Sequence, residues 1–126
     1  MNIPKELLYT KEHEWVSFSD DTTAKVGITD FAQHALGDIV YINLPNIGDE
    51  AVAGESFADV ESVKAISDIF SPVNGTINDI NMEIMDSPEK INENPYGAWL
   101  VEISDIADKG ELMSAEAYEE LCKEED

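Results

Sequence analysis

Residues 55–75 read "ESFADVESVKAISDIFSPVNG", and this stretch decides the fold. Two runs, "ESFADVES" and "AISDIFSP", read as strands on either side of Lys64. Between them "SVKA" carries no Gly, Pro or Asn. A tight tip there is expected to be imposed by strand pairing on both sides, against local propensity. Places where a local rule fails often mark function. Just beyond, "VNGTI" carries an Asn-Gly turn signal at Asn74 and Gly75.

Working outward, more short strands appear. "HEWVSFS" alternates, with Glu14, Val16 and Phe18 on one face and His13, Trp15 and Ser17 on the other. "SDDTT" is a turn, "AKVGI" a partner strand, "DIVYINLP" a strand stopped by Pro45, and "AWLVEI" a last strand. "AVAGESFADVES" reads as one continuous strand leading to the lysine. Ile28, Phe31, Ala32, Ala35 and Leu36 recur at helical spacing, with Thr29 as N-cap and Gly37 as the stop. Ser87 and Pro88 signal a helical turn or two. From Ser114 a C-terminal helix places Tyr118, Leu121 and Cys122 on one face. The pattern predicts one all-β domain, residues 1–126, sandwich- or barrel-like, with minor helices.

Composition narrows the partners. With 28 acidic residues against seven lysines and no arginine, the formal charge is -21. Such a field repels nucleic-acid backbones and anionic membranes, and steers toward basic surfaces. No apolar run approaches the roughly 20 residues that span a bilayer. The N-terminus matches neither a secretory signal nor an Arg-rich transit peptide, so a cytoplasmic, prokaryotic chain is expected. A monomer is the default. Cys122 is the single cysteine, and neighbouring carboxylates disfavour its thiolate.

Most catalytic patterns are missing. Neither GxxxxGK[ST] nor GxGxxG occurs. His13 and His34 fall in different elements, no HExxH or cysteine cluster exists, and no metal site is expected. Close carboxylate pairs arise by chance among so many acids. Lys64 is more informative. As a surface lysine it balances local charge. As a Schiff-base nucleophile it needs a buried or cation-flanked amine, whereas Glu61 and Asp68 favour the ammonium. As a residue modified by another enzyme, it needs only exposure and a recognisable shape, which a hairpin tip provides.

The segments "YTKEHEW", "VGITDFAQHALGDIVYINLP", "ESVKAISDIFSPVNG", "INENPYG-AWL" and "YEELCKEED" make the chain similar to the glycine cleavage system H-protein family. The likeness runs from about Tyr9 to the C-terminus. It implies a biotinyl/lipoyl-type hammerhead, two small antiparallel sheets packed together, with short helices and a C-terminal helix. It implies lipoic acid in amide linkage to Lys64, with Glu61, Ser62, Val63 and Ala65 as the recognition hairpin. It implies a carrier rather than an enzyme. Such a shuttle takes an aminomethyl group from glycine decarboxylase to an aminomethyltransferase, passes electrons to dihydrolipoamide dehydrogenase, and is served by lipoylating enzymes. By position, Glu14 and Asp68, and more weakly Glu12, are the acids of a cleft that shelters the loaded arm. One departure concerns a loop: family members often carry an extra residue and an acid where Ala98 here joins Gly97 to Trp99.

Rival readings stay within reach of the same residues. Biotin domains place the lysine between methionines, whereas Val63 and Ala65 flank Lys64. Lipoyl domains of 2-oxoacid dehydrogenases usually precede a linker and a catalytic domain. An H-like relay protein that serves lipoylation of other proteins could share nearly every motif. A non-carrier acidic binding domain would leave the motif matches to coincidence.

Overall fold

The computed structural model describes residues 2–107 and 111–125. Among the described residues nine strands and four helices follow in the order β1 (Leu8–Tyr9), β2 (Glu14–Asp20), β3 (Thr23–Ile28), α1 (Asp30–Leu36), β4 (Ile39–Asn43), β5 (Glu50–Ala51), β6 (Ser56–Ser62), β7 (Ile66–Phe70), β8 (Gly75–Ile80), α2 (Met82–Asp86), α3 (Lys90–Glu93), β9 (Val101–Ser104) and α4 (Ala115–Glu125). They form a six-stranded sheet, β1-β2-β3-β9-β8-β5, and a three-stranded sheet, β4-β6-β7. Every pairing between named strands is antiparallel.

Strand alternation builds the core between the sheets. Val16, Val26, Ile77, Val101 and Ile103 face inward from the larger sheet, and Ile42, Val60 and Ile69 from the smaller. On β6, Ala58, Val60 and Ser62 are buried while Glu61 is exposed. The other face of β2 is covered too. Trp15 joins Tyr9, Tyr118, Ala115 and Cys122 in a second cluster beneath α4. Tyr9 and Tyr118 stack there, with ring centroids 4.6 Å apart. Both faces of the "HEWVSFS" alternation are therefore buried at its start.

The expected helix ends hold. Thr29 caps α1 by accepting the Ala32 N–H, and Gly37 ends it at φ +82°. Helix α4 buries Ala115, Tyr118 and Cys122, and Ser114 Oγ accepts the Ala117 N–H at its start. Other expectations change. "AVAGESFADVES" is not one strand, because β5 pairs with β8 in the larger sheet and β6 with β4 and β7 in the smaller. Nor is Asn74-Gly75 a hairpin turn. Gly75 begins β8, and an ideal Cβ there would lie 2.5 Å from Ile103 Cγ2 and 2.5 Å from the Ser104 carbonyl oxygen. Its lack of a side chain serves close strand approach. Helix α2, capped by the Asn81 side chain, was not expected, whereas α3 follows the Ser87-Pro88 signal. Among the described residues no helix is long and apolar enough to cross a membrane.

Candidate functional site

The β6–β7 hairpin carries Lys64 on an exposed tip. Its last strand pair is Glu61 with Ile66. Beyond that pair, Ser62 closes the turn. Its N–H donates to the Ala65 carbonyl at 2.8 Å, and its Oγ accepts the N–H groups of Lys64 and Ala65, each at 3.1 Å. The stretch "SVKA" thus does contain a turn former. Serine at the first turn position can cap the following amides, which corrects the expectation of a tip imposed only by strand pairing. Val63 N–H donates to the Asp38 carbonyl at 3.0 Å and ties the tip to the start of β4.

The lysine stem lies over Gly37. An ideal Cβ at that glycine would sit 3.2 Å from Lys64 Cε. Asn92 of α3 fixes this corner, with its Nδ2 donating to the Gly37 carbonyl at 2.9 Å and its Oδ1 accepting the Ile39 N–H at 2.9 Å. Among the described residues Lys64 makes no ion pair. A primary amine on a fixed, solvent-facing turn suits a covalent acyl group, since neither burial nor a salt bridge competes for it.

At the other end of β7 an open cleft of about 530 Å³ is lined by Thr10, Glu12, Glu14, Phe70, Pro72 and Met113, among others. Glu14 is only 2% exposed. Thr10 Oγ1 donates to its Oε1 at 2.6 Å, and the Phe70 N–H donates to its Oε2 at 3.3 Å. Burial pushes this carboxyl up to about 7, with the Glu12 charge adding to the rise and the two hydrogen bonds opposing it. Desolvation wins because two hydrogen bonds do not replace a full hydration shell.

The start of β2, which bears Glu14, is pinned from several sides. The Glu14 N–H donates back to Thr10 Oγ1 at 3.1 Å. His13, in the left-handed region at φ 70°, stacks on Phe31 with centroids 4.5 Å apart. Its Nδ1 lies 2.8 Å from the Tyr118 hydroxyl, which lies 2.6 Å from Thr29 Oγ1. Burial holds the Tyr118 phenol well above its ordinary range, so it stays a neutral hydrogen-bonding group.

A sequence model of the glycine cleavage H-protein family matches residues 7–125. The chain belongs to that family. It is 58% identical to the glycine cleavage system H protein of Lachnoclostridium phytofermentans, over 99% of this chain and 98% of that one. The H protein of Carboxydothermus hydrogenoformans is 52% identical, over 98% and 96%. The crystal structure of the H protein from Mycobacterium marinum superposes with a TM-score of 0.86 at 39% identity, covering 92% of this chain and 95% of that one. The expected hammerhead of two packed antiparallel sheets is therefore the fold of this H-protein family member.

Within it, Glu12 and Glu14 share the cleft. Asp68 does not line it. It is exposed on β7, two residues from Phe70 and on the same strand face, between the lysine tip and the cleft mouth. Asp68 stands directly opposite Asp59, and Asn43 Nδ2 donates to Asp59 at 2.9 Å on that outer face. Glu61, Val63 and Ala65 are exposed around Lys64, while Ser62 is buried. His13 is part of the Tyr118 network and His34 is exposed on α1. The "PYG-AWL" loop closes on Asn94, whose carbonyl accepts from Gly97 and Ala98 at 3.1 and 3.0 Å. Thr10 escaped the sequence reading, and Ser62 entered it only as a hairpin residue, without its turn-closing role. Both are hydroxyl residues just ahead of a turn, and that was the available signal.

Proposed function

We propose that this chain is the lipoyl-bearing shuttle of a glycine cleavage system, with lipoate in amide linkage to Lys64. It would carry the aminomethyl group from glycine decarboxylase to the aminomethyltransferase, and electrons to dihydrolipoamide dehydrogenase, without catalysing a step itself. The observation that carries this reading is the exposed Lys64 amine on a serine-closed hairpin, in a chain matched by the family over residues 7–125. An attached lipoyl group supplies a dithiolane able to hold a one-carbon amine and to cycle between thiol and disulfide.

The protein's own residues position and shelter. Ser62 holds the hairpin amides, Gly37 leaves room for the lysine stem, and the cleft offers a partly apolar recess floored by Glu14. Presented to an ammonium, the Glu14 carboxylate would form a charge-assisted hydrogen bond, with Glu12 as a second acid at the rim. Asp68, on the way to the cleft, supplies negative potential to the same cation. We read residues 1–126 as one monomeric carrier domain acting in the cytoplasm, approached by partners with basic surfaces.

Intact mass of protein made with lipoate supply tests the attachment. Wild type gains one lipoyl increment and Lys64→Ala gains none; an increment that persists in Lys64→Ala sinks the assignment. For the cleft, cargo-loaded Glu14→Ala is expected to release ammonia faster than wild type. An unchanged lifetime removes Glu14 from that role.

A further inference from the structure

Thr10 opens the β1–β2 loop, is only 8% exposed, and shares the cleft wall with Glu14. Its backbone is tied on both sides. The preceding Tyr9 N–H donates to the Met113 carbonyl at 2.9 Å, and the Met113 N–H returns a bond at 2.7 Å. The Thr10 N–H donates to the Glu14 carbonyl at 3.0 Å. Threonine is branched at Cβ, so its χ1 is stiff. A fixed backbone and a stiff side chain together aim the hydroxyl at Glu14. It accepts the Glu14 N–H at 3.1 Å and donates to Glu14 Oε1 at 2.6 Å. That length is typical of a hydroxyl donating to an ionised carboxylate.

The two donors to this carboxyl differ in kind. The Phe70 N–H, at 3.3 Å from Oε2, can only donate. A hydroxyl has one proton and two lone pairs, and the Glu14 N–H occupies one of them. Turned about its C–O bond, Thr10 can accept a proton carried on Oε1. The other buried hydroxyl of the cleft wall, Ser71, is committed to the Val73 carbonyl at 2.6 Å. Charged groups stand farther off. Lys11 and Glu12 on the loop, Glu111 before α4 and Asp68 on β7 are all exposed, and Ala53 and Gly54 bring no charge. Among the described residues Glu14 makes no ion pair. One amide and one hydroxyl are therefore what opposes its desolvation.

We propose that Thr10 is the positioning residue of the cleft: its hydroxyl aims the Glu14 carboxyl, donates to it while it is the anion that faces an ammonium cargo, and turns to accept its proton when the cleft is empty. This rests on the cargo role of Glu14 read above. On arrival of the ammonium, the proton on Oε1 passes to solvent, and Thr10 turns back to donate. Without the hydroxyl only the Phe70 amide supports the anion. Glu14 then stays protonated to higher pH and offers the cargo no charge.

The first test uses the full chain without lipoate, labelled with 13C at the glutamate side-chain carboxyls. The Glu14 signal is assigned by its loss in Glu14→Gln. Its titration midpoint should rise by about one pH unit in Thr10→Val, the worth of one hydrogen bond to a charged group. Thr10→Ser should restore the wild-type midpoint, and Thr10→Ala stands in should the valine variant not fold. A midpoint unmoved by loss of the hydroxyl would overturn the proposal. The second test uses cargo-loaded protein, each variant first brought to full lipoylation as checked by intact mass. Near pH 7, where Glu14 ionises, Thr10→Val should release its cargo about tenfold faster than wild type, and Thr10→Ser at the wild-type rate. In a Glu14→Ala background Thr10→Val should change nothing further, because Thr10 acts through that carboxyl. A further loss there would make Thr10 a support of the loop alone and overturn the proposal. If Glu14→Ala shortens the cargo lifetime while Thr10→Val does not, this inference alone fails. If Glu14→Ala leaves the lifetime unchanged, the cargo role of Glu14 fails, and the role of Thr10 with it.

Discussion

At the Lys64 end of β7 the four residues 63–66 all face solvent, and one serine hydroxyl closes the turn. At the Phe70 end, Glu14 reaches over from the other sheet, caps the Phe70 N–H and is almost fully buried. The turn at the tip is closed by residues within four positions of each other, with one tie to β4 through the Val63 N–H and the Asp38 carbonyl. The cleft needs both sheets, because its walls come from the β1–β2 loop, the end of β7 and the segment before α4. The proposed carrier role would benefit from this division. The proposed attachment point lies open to recognition from outside, while the proposed sheltering recess is set by tertiary packing that a partner at the tip does not disturb.

The largest expected effect strikes the cleft end. Glu14 is raised from 4.5 to about 7, so the folded chain holds its proton more tightly than the unfolded chain. Its protonated form suits the folded state fully below pH 4.5. As the pH climbs to about 7 the unfolded chain ionises first, and on the order of 3 kcal/mol of stability is lost. Glu14→Gln should erase that loss. Urea titrations of both proteins across this range should show the wild type falling relative to the variant; parallel curves would mean that Glu14 is well solvated.

Gly37→Ala probes the tip's support. At φ +82° and ψ -159°, this backbone is essentially glycine-only, so about 2 kcal/mol should be lost in thermal melts. The pH dependence assigned to Glu14 should survive. Ser62→Ala removes the acceptor of two amides and should cost about 1 kcal/mol. Amide exchange would sharpen that result, since only the Lys64 and Ala65 N–H groups should exchange faster. Asp68→Asn should have the smallest effect. It relieves a like-charge pair with Asp59 and should stabilise by about half a kcal/mol or less. A large loss in that variant would place Asp68 with the buried acid rather than with the exposed tip.

Much of the fold was legible locally. Thr29 and Gly37 bracket α1, the Tyr118 and Cys122 face marks α4, and the strands flanking Lys64 pair as expected. What misled were signals with two physical uses. Asn74-Gly75 has the sequence of a turn, but Gly75 answers to the packing of Ile103 and Ser104. The β5–β6 segment looks continuous because both parts are strands, and only pairing partners reveal that they belong to different sheets. The turn-closing role of Ser62 was missed because its bonds come from the side chain rather than from a Gly, Pro or Asn backbone.

The sequence by itself determined the strand-rich class, the ends of two helices, the acidic surface and the single lysine that stands out. These depend on neighbours along the chain, on periodicity, capping and charge count. Tertiary structure decided which acids meet the cleft. Glu14 and Asp68 are both strand carboxylates, Glu14 at the start of β2 and Asp68 in the middle of β7, and alternation gives a face but not its degree of burial. Packing separates them: Glu14 is drawn between two sheets and desolvated, while Asp68 stays in water beside Asp59. Desolvation depends on what the rest of the chain places around a group, and no local pattern encodes that.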